Sequence, residues 1–326
     1  MKPARWKSLM IALGLGTATL SGAPDPSPRT FVYKTVGALE IKADVYVPAG
    51  GAKVRPVVVY LHGGSLINGK RQAVANWFPR EEFLAAGAVV VSVDYRLAPE
   101  TKLRDLVQDV EDAFAWVRRD GPALFGADSH RVAVTGGSAG GYLALLMGAR
   151  LQPRAQVVYA EMSYGDLLSP WQLQPSVHRP HYTDSNLEGD EAWKQVSGAA
   201  IANAADRPGD GGAFNDFIRR HAGWPRAISG WDPQAETARF EPYRTFRHVT
   251  AAFPPTVMVH GEIDSDVPVT EPQRMAGLFK QHGVEHRLLV IPNAEHGFRG
   301  ADPAAVRTAQ REAVAFVLNH LNAPTP

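Results

Sequence analysis

Short, uninterrupted apolar runs recur along this chain, with helical patterns between them. They are Val57–Leu61, Ala88–Val93, Val132–Thr135, Val157–Tyr159, Thr256–Val259 and Leu288–Ile291. A strand with one solvated face alternates apolar and polar residues, whereas a strand apolar throughout is buried on both faces. Burying both faces requires helices on each side, and strand–helix–strand order makes right-handed crossovers. The pattern therefore predicts an α/β fold, doubly wound around a mostly parallel central sheet. Phe31–Val36 and Leu39–Val47 alternate instead and flank Gly37-Ala38, which predicts an antiparallel hairpin ahead of that sheet. Leu103, Leu106, Val107, Val110, Phe114 and Val117 share one helical face. Thr270-Glu271-Pro272-Gln273 has a capping-box pattern, Gly283 ends that helix, and Asp302-Pro303 opens the last one.

A length of 326 residues suits one large α/β domain or two small ones. Residues 31–321 read as a single domain, with 322–326 a short tail. Residues 166–250 break the rhythm: they contain no clear parallel strand, hold four of the seven Trp and are rich in Pro. They are expected to form a cap inserted over the sheet edge. At the start, Lys2, Arg5 and Lys7 precede an apolar stretch, Leu9–Leu20. That stretch is shorter than the roughly 20 residues a bilayer span needs and suits a signal peptide. Residues 1–23 are expected to be that leader, with cleavage after Ala23 or, because Pro24 is a poor first residue, after Ala18 or Ser21. Residues 24–30 form a Pro-rich linker. The expected location is exported, periplasmic or secreted, without stable membrane insertion after processing.

The absence of cysteine removes a thiol nucleophile, disulfides, an Fe–S cluster and Cys-ligated zinc. A formal charge of +1 and no basic stripe give no reason to expect a nucleic-acid partner. No H-E-x-x-H pair appears, and His178 and His181 lie in a Pro-flanked loop. Neither a metal nor an organic cofactor is expected.

One apolar strand, Arg131–Thr135, runs into Gly136-Gly137-Ser138-Ala139-Gly140-Gly141 and then a helical stretch. A G-x-S-x-G turn between strand and helix projects a nucleophilic serine from the sheet, with glycines where a side chain would collide. A Rossmann turn needs a different glycine spacing, and a phosphate loop needs a Lys that 131–141 lacks. The strand Val57–Leu61 ends in His62-Gly63-Gly64-Ser65. Gly63 or Gly64, with Ala139, are the expected backbone oxyanion donors, each worth on the order of 3 kcal/mol in the transition state. His62 reads as structural. An acid and a base should follow later strands, in the order Ser, Asp or Glu, His. Asp264 is the expected acid, with Asp266 and Glu262 as rivals, and His296 is the expected base.

Taken together, His62-Gly63-Gly64, Gly136–Gly141, His260-Gly261…Asp264…Val267-Pro268 and Glu295-His296-Gly297-Phe298 resemble the α/β-hydrolase superfamily. They look closest to the hormone-sensitive-lipase-like bacterial esterases. Asp94-Tyr95-Arg96-Leu97-Ala98-Pro99-Glu100 matches a stretch that is structural in that group. The resemblance implies a carboxylesterase-type serine hydrolase. It would cleave small-molecule esters of small or medium acyl chains through an acyl-enzyme on Ser138. The chain departs from the group at Ser65, where Gly is usual, and at Gly137, where Asp is common. Its amino-terminal hairpin and 166–250 insertion also differ. A peptidase or amidase of the prolyl-oligopeptidase-like type, a deacetylase of acetylated sugars, and a non-catalytic binding protein remain open readings at this point. Aromatic residues of the insertion (Trp171, Trp193, Trp224 and Trp231 among them) are expected mainly to pack, with some lining a pocket.

Overall fold

A computed structural model describes residues 27–323, except 51, 77 and 183–188. The leader reading, residues 24–26 of the linker reading and residues 324–326 of the tail thus lie outside the described residues. Eight strands form one sheet in the order β1-β2-β4-β3-β5-β6-β7-β8. β1 (Arg29–Val36) and β2 (Leu39–Tyr46) are the antiparallel hairpin. β2 also runs antiparallel to β4 (Val89–Val93). β3 (Arg55–Leu61), β4, β5 (Ala127–Gly137), β6 (Val157–Glu161), β7 (Thr256–Gly261) and β8 (His286–Ile291) are mutually parallel.

Alternate residues of each central strand serve opposite cores. Val57, Val59 and Leu61 face one cluster, while Val58 and Tyr60 face the other. The first cluster is closed by α2 (Leu103–Arg119), α3 (Ala139–Arg150) and α6 (Thr270–Gln281); the second by α1 (Arg80–Ala85) and α7 (Pro303–Leu321). α2 buries Leu103, Leu106, Val107, Val110, Phe114 and Val117, the stripe its spacing predicts. α3 is different: residues Ala139 to Gly148 are all buried, because this helix runs from the Gly-rich turn at Ser138 into the centre of the molecule.

Two local expectations are corrected. Leu288–Ile291 does not form a doubly buried strand: β8 is the sheet edge, and only Ile291 in it is fully buried. An edge strand has a neighbour on one side alone, and Val290 is 40% exposed. The capping box at Thr270 does not form either. Thr270 is the first helical residue and Val269, which has no side-chain acceptor, is the cap. At α7 the expected cap is present, with the Asp302 carboxylate accepting the Ala304 N–H.

Between β6 and β7 the described chain contains no strand. It folds into short helical segments, including α4 (Gly212–Arg220) and α5 (Trp224–Ser229). The Asp94–Glu100 segment after β4 ties these pieces to the sheet. Asp94 holds Arg71, the Tyr95 hydroxyl donates to the His62 carbonyl, and Arg96 pairs with fully buried Asp109. Glu100 pairs with Arg207 at 2.6 Å, with both side chains almost completely buried. Arg207 also donates to the Ile67 and Ala98 carbonyls. Removing one member of such a pair strands the other charge away from water. Arg207→Met is therefore expected to lower stability by about 3–5 kcal/mol. Arg207→Met with Glu100→Gln should recover part of the loss, as read from urea unfolding midpoints.

Candidate active site

The turn from β5 into α3 holds Ser138 at φ 55°, ψ −121°. A non-glycine residue there is strained by on the order of 1–3 kcal/mol, so its surroundings must hold it. The Ser138 N–H donates to the Glu161 carbonyl at 2.8 Å, and the Ser138 carbonyl accepts from Tyr142 N–H at 2.9 Å. Glycines make room for the turn. A Cβ on Gly140 would run into the Leu61 carbonyl at the end of β3, and one on Gly136 into the Gly140 carbonyl. A Cβ on Gly63 would sit 2.9 Å from the Gly137 carbonyl and 3.3 Å from Ser138 Cβ. Two glycine-bearing loops from neighbouring strands are thereby pressed together around the serine.

β7 and β8 deliver the other groups. His296 Nε2 lies 3.1 Å from Ser138 Oγ, and His296 Nδ1 lies 2.8 Å from Asp264 Oδ2. The second Asp264 oxygen accepts the backbone N–H groups of Asp266 and Val267, at 3.0 and 2.8 Å. These bonds fix the carboxylate and, through it, the imidazole. Burial pulls the His296 pKa down, but the bond to Asp264 and the charges of Asp266 and Asp264 outweigh it. The result is an imidazole whose pKa is raised above the ordinary histidine value. Glu295 accepts the His296 N–H and the Ser265 hydroxyl, which fixes the base from its backbone side.

The two rival acids have different places. Glu262 accepts the Asn293 N–H at 3.0 Å. Asp266 lies on the opposite side of the imidazole from Asp264, with Oδ2 3.8 Å from His296 Nε2. His62 is fully buried and stacked on Tyr95, and its Nδ1 meets the Gly63 carbonyl. Burial lowers its pKa to about 4, so it is neutral and structural.

The loop that carries Gly63 and Gly64 is held from both sides. The Gly64 carbonyl accepts from Ile67 and Asn68. Residues between β6 and β7 then bond three alternate carbonyls of the same loop. Trp224 Nε1 donates to Ser65 at 2.8 Å, Arg207 to Ile67 at 2.6 Å and Ala204 N–H to Gly69 at 3.0 Å. Gly64, Ser65, Leu66 and Gly69 all have positive φ, so this loop is one that such contacts must hold in shape. Ala139, the third expected donor, is the buried first residue of α3.

Gly63, Gly64, Ser138 and His296 line a cavity of about 340 Å³ that also meets Glu161, His181, Asn215 and Asp266. None of the insertion's tryptophans lines it. Trp171 and Trp224 instead pack with Tyr164 on the other side of Ser138, leaving a crevice of about 10 Å³. Trp231 packs edge-on against Phe240, and Trp193 against Phe214. Among the described residues no group of three or more His, Cys, Asp or Glu side chains is arranged to hold a metal ion, at His178 and His181 included. His178 Nδ1 meets Ser265 Oγ at 2.8 Å, and His181 bridges Asp216 and Asp266. Sequence reasoning did not single out Glu161, Asn215 or Arg219 for this site. Their only signal is spatial, since Glu161 ends β6 while Asn215 and Arg219 lie on α4, well separated from it in sequence.

The chain matches the family described as "alpha/beta hydrolase fold" over residues 58–300, more than half its length, and it belongs to that family. The chain is similar to a Staphylococcus aureus protein of unknown function, with a TM-score of 0.72, 19% identity, and coverage of 90% of this chain and 99% of that one. It is also similar to butyrate-bound esterase 2 of Thermogutta terrifontis, with a TM-score of 0.63, 23% identity, and coverage of 93% and 98%. These likenesses are of fold. A non-reducing polyketide synthase of Penicillium rubens is 27% identical over 90% of this chain, which spans only 14% of that protein.

Glu161 gives this site a pH-dependent stability. Burial pushes its carboxyl up to about 7, against the bonds from Tyr159 and Gln310. A carboxyl raised in the folded state binds its proton more tightly than the unfolded chain does. Stability therefore falls as pH rises from the ordinary range, near 4.5, through about 7. Glu161→Gln removes that penalty. It should be more stable than the parent by about 3 kcal/mol at pH 8 and nearly equal to it at pH 4 in chemical unfolding.

Proposed function

We propose that this protein is a serine carboxylesterase that cleaves small-molecule esters of short acyl chains. The observation that carries the reading is the continuous line Ser138 Oγ–His296–Asp264, with contacts of 3.1 and 2.8 Å. His296 Nε2 takes the Ser138 proton as Oγ attacks the ester carbonyl. The resulting oxyanion is met by backbone N–H groups of Gly63 or Gly64 and Ala139, at the start of a buried helix whose dipole has the favourable sign. His296 then returns the proton to the leaving alcohol, and water releases the acyl group by the same route. Asp264 stays ionised, holding the tautomer with the proton on Nδ1 and stabilising the imidazolium.

The narrow aromatic-walled crevice beside Ser138 favours small acyl groups. The similar esterase from Thermogutta terrifontis has been observed with butyrate, in keeping with such substrates. The reading also keeps the proposal that residues 1–23 direct export, which intact-mass measurement of the mature protein tests.

Ser138→Ala should lower p-nitrophenyl acetate kcat by at least about 10⁴-fold with an unchanged circular dichroism spectrum. Near-parental activity in that variant would reject the assignment. Because the base must be neutral and its pKa is raised, kcat/KM should climb with pH through an apparent pKa above the ordinary value of about 6.5. A flat profile between pH 5 and 8 would reject a histidine base.

A further inference from the structure

The wall of the cavity next to His296 is built of hydrogen-bond acceptors that the triad does not use. Asp266 Oδ1 accepts from His181 Nε2 at 3.1 Å and from Arg219 at 2.9 Å. Asp266 Oδ2 receives no hydrogen bond among the described residues, and its neighbour is His296 Nε2 at 3.8 Å. Asn215 projects from α4 to line the same cavity; it is 7% exposed, and its Oδ1 has no partner among the described residues. A buried acceptor without a donor is unfavourable by about 1–3 kcal/mol, so this arrangement makes sense if a ligand brings the donors.

Mechanism fixes where those donors belong. The proton that leaves His296 Nε2 goes to the leaving alcohol, so the ester oxygen must come within about 3 Å of that nitrogen. Asp266 Oδ2 faces the same nitrogen and therefore the atoms just beyond the ester oxygen. We propose that Asp266, with Asn215, forms a subsite for the alcohol part of the substrate, taking a neutral alcohol that carries a hydroxyl one or two carbons from the ester oxygen. A cationic alcohol fits less well. His181 lies between Asp216 and Asp266, whose carboxylates outweigh its burial and favour its protonated form; with Arg219 it offsets the two negative charges. The carboxylate is held ionised, against its burial, by the His181 bond and by neighbouring positive charge, so it remains an acceptor across the working pH range. This assignment rests on the ester-hydrolysis reading above.

The test is a matched comparison of kcat/KM for glycerol 1-monoacetate, propyl acetate and acetylcholine, with p-nitrophenyl acetate as a reference. The full chain should prefer the glycerol ester to its propyl counterpart by about tenfold or more, the size of one hydrogen bond to a charged acceptor. Asp266→Ala should bring that ratio towards one. Both esters use the same His296, so any effect of the substitution on the base cancels in the ratio. Should Asp266→Ala fail to fold, Asn215→Ala should lower the ratio at least threefold. Equal wild-type constants for the glycerol and propyl esters would overturn the subsite while leaving the esterase reading in place, provided p-nitrophenyl acetate is cleaved. A preference for acetylcholine over the glycerol ester would overturn the neutral-donor assignment. Failure to cleave any of the four would overturn both proposals.

Discussion

The closeness of the Gly136–Gly140 turn to the end of β3 governs the site. Leu61, the last residue of β3, and His62 just after it set their carbonyls against Gly140, leaving no room for a Cβ there. That approach accompanies the positive φ of Ser138, sets Gly63 so near that a Cβ on it would crowd Ser138, and sends α3 straight into the core. A helix entering the core needs apolar residues all round, which accounts for the weakly amphipathic sequence Ala139–Arg150. The same contact leaves main chain rather than side chains beside the serine, which is what the proposed oxyanion donors require.

The chain between β6 and β7 acts on this site through main-chain carbonyls as well as by covering it. Ser65, Ile67 and Gly69 each accept a bond from that segment, and Arg207 carries one of them from its pair with Glu100. The Asp94–Glu100 stretch is a hub for the same reason. Its side chains reach Arg71, the His62 carbonyl, Asp109 and Arg207, none of which touches a reacting atom. The loop geometry therefore depends on contacts far apart in sequence. Arg207 and Trp224 hold the loop that carries Gly63 and Gly64 without lining the cavity.

Much of the fold was legible because doubly buried strands leave a signal in consecutive residues. Val57–Leu61 and Val89–Val93 carry that signal in full. β8 carries it too and yet lies at the edge, because apolar composition reports strand formation and not the number of neighbours. Thr270 shows a second limit: the capping-box letters are present, but the helix begins one residue earlier than the motif requires. At the site, the Gly-rich turn and the two histidine- and acid-bearing loops stand out in one dimension. Which carboxylate meets which imidazole nitrogen does not, since Asp264 and Asp266 are two residues apart and lie on opposite sides of His296. Asn215 and Arg219 were invisible for a further reason. They come from a segment whose composition reads as loop and packing, and only folding brings Asn215 to the cavity and Arg219 to Asp266 on its wall.

The electrostatics follow from the same arrangement. Two carboxylates flank His296, one on each nitrogen side, and both favour its imidazolium. The central claim is that this pair of loops turns Ser138 into a nucleophile. Peptide mapping by mass spectrometry after treatment with paraoxon tests it most directly. The Thermogutta esterase of similar fold is known in a form phosphorylated by that reagent. A single diethylphosphoryl group on the peptide containing Ser138, absent when His296 is replaced by Ala, is the predicted result. An unmodified Ser138 peptide, or modification centred on another residue, would contradict it.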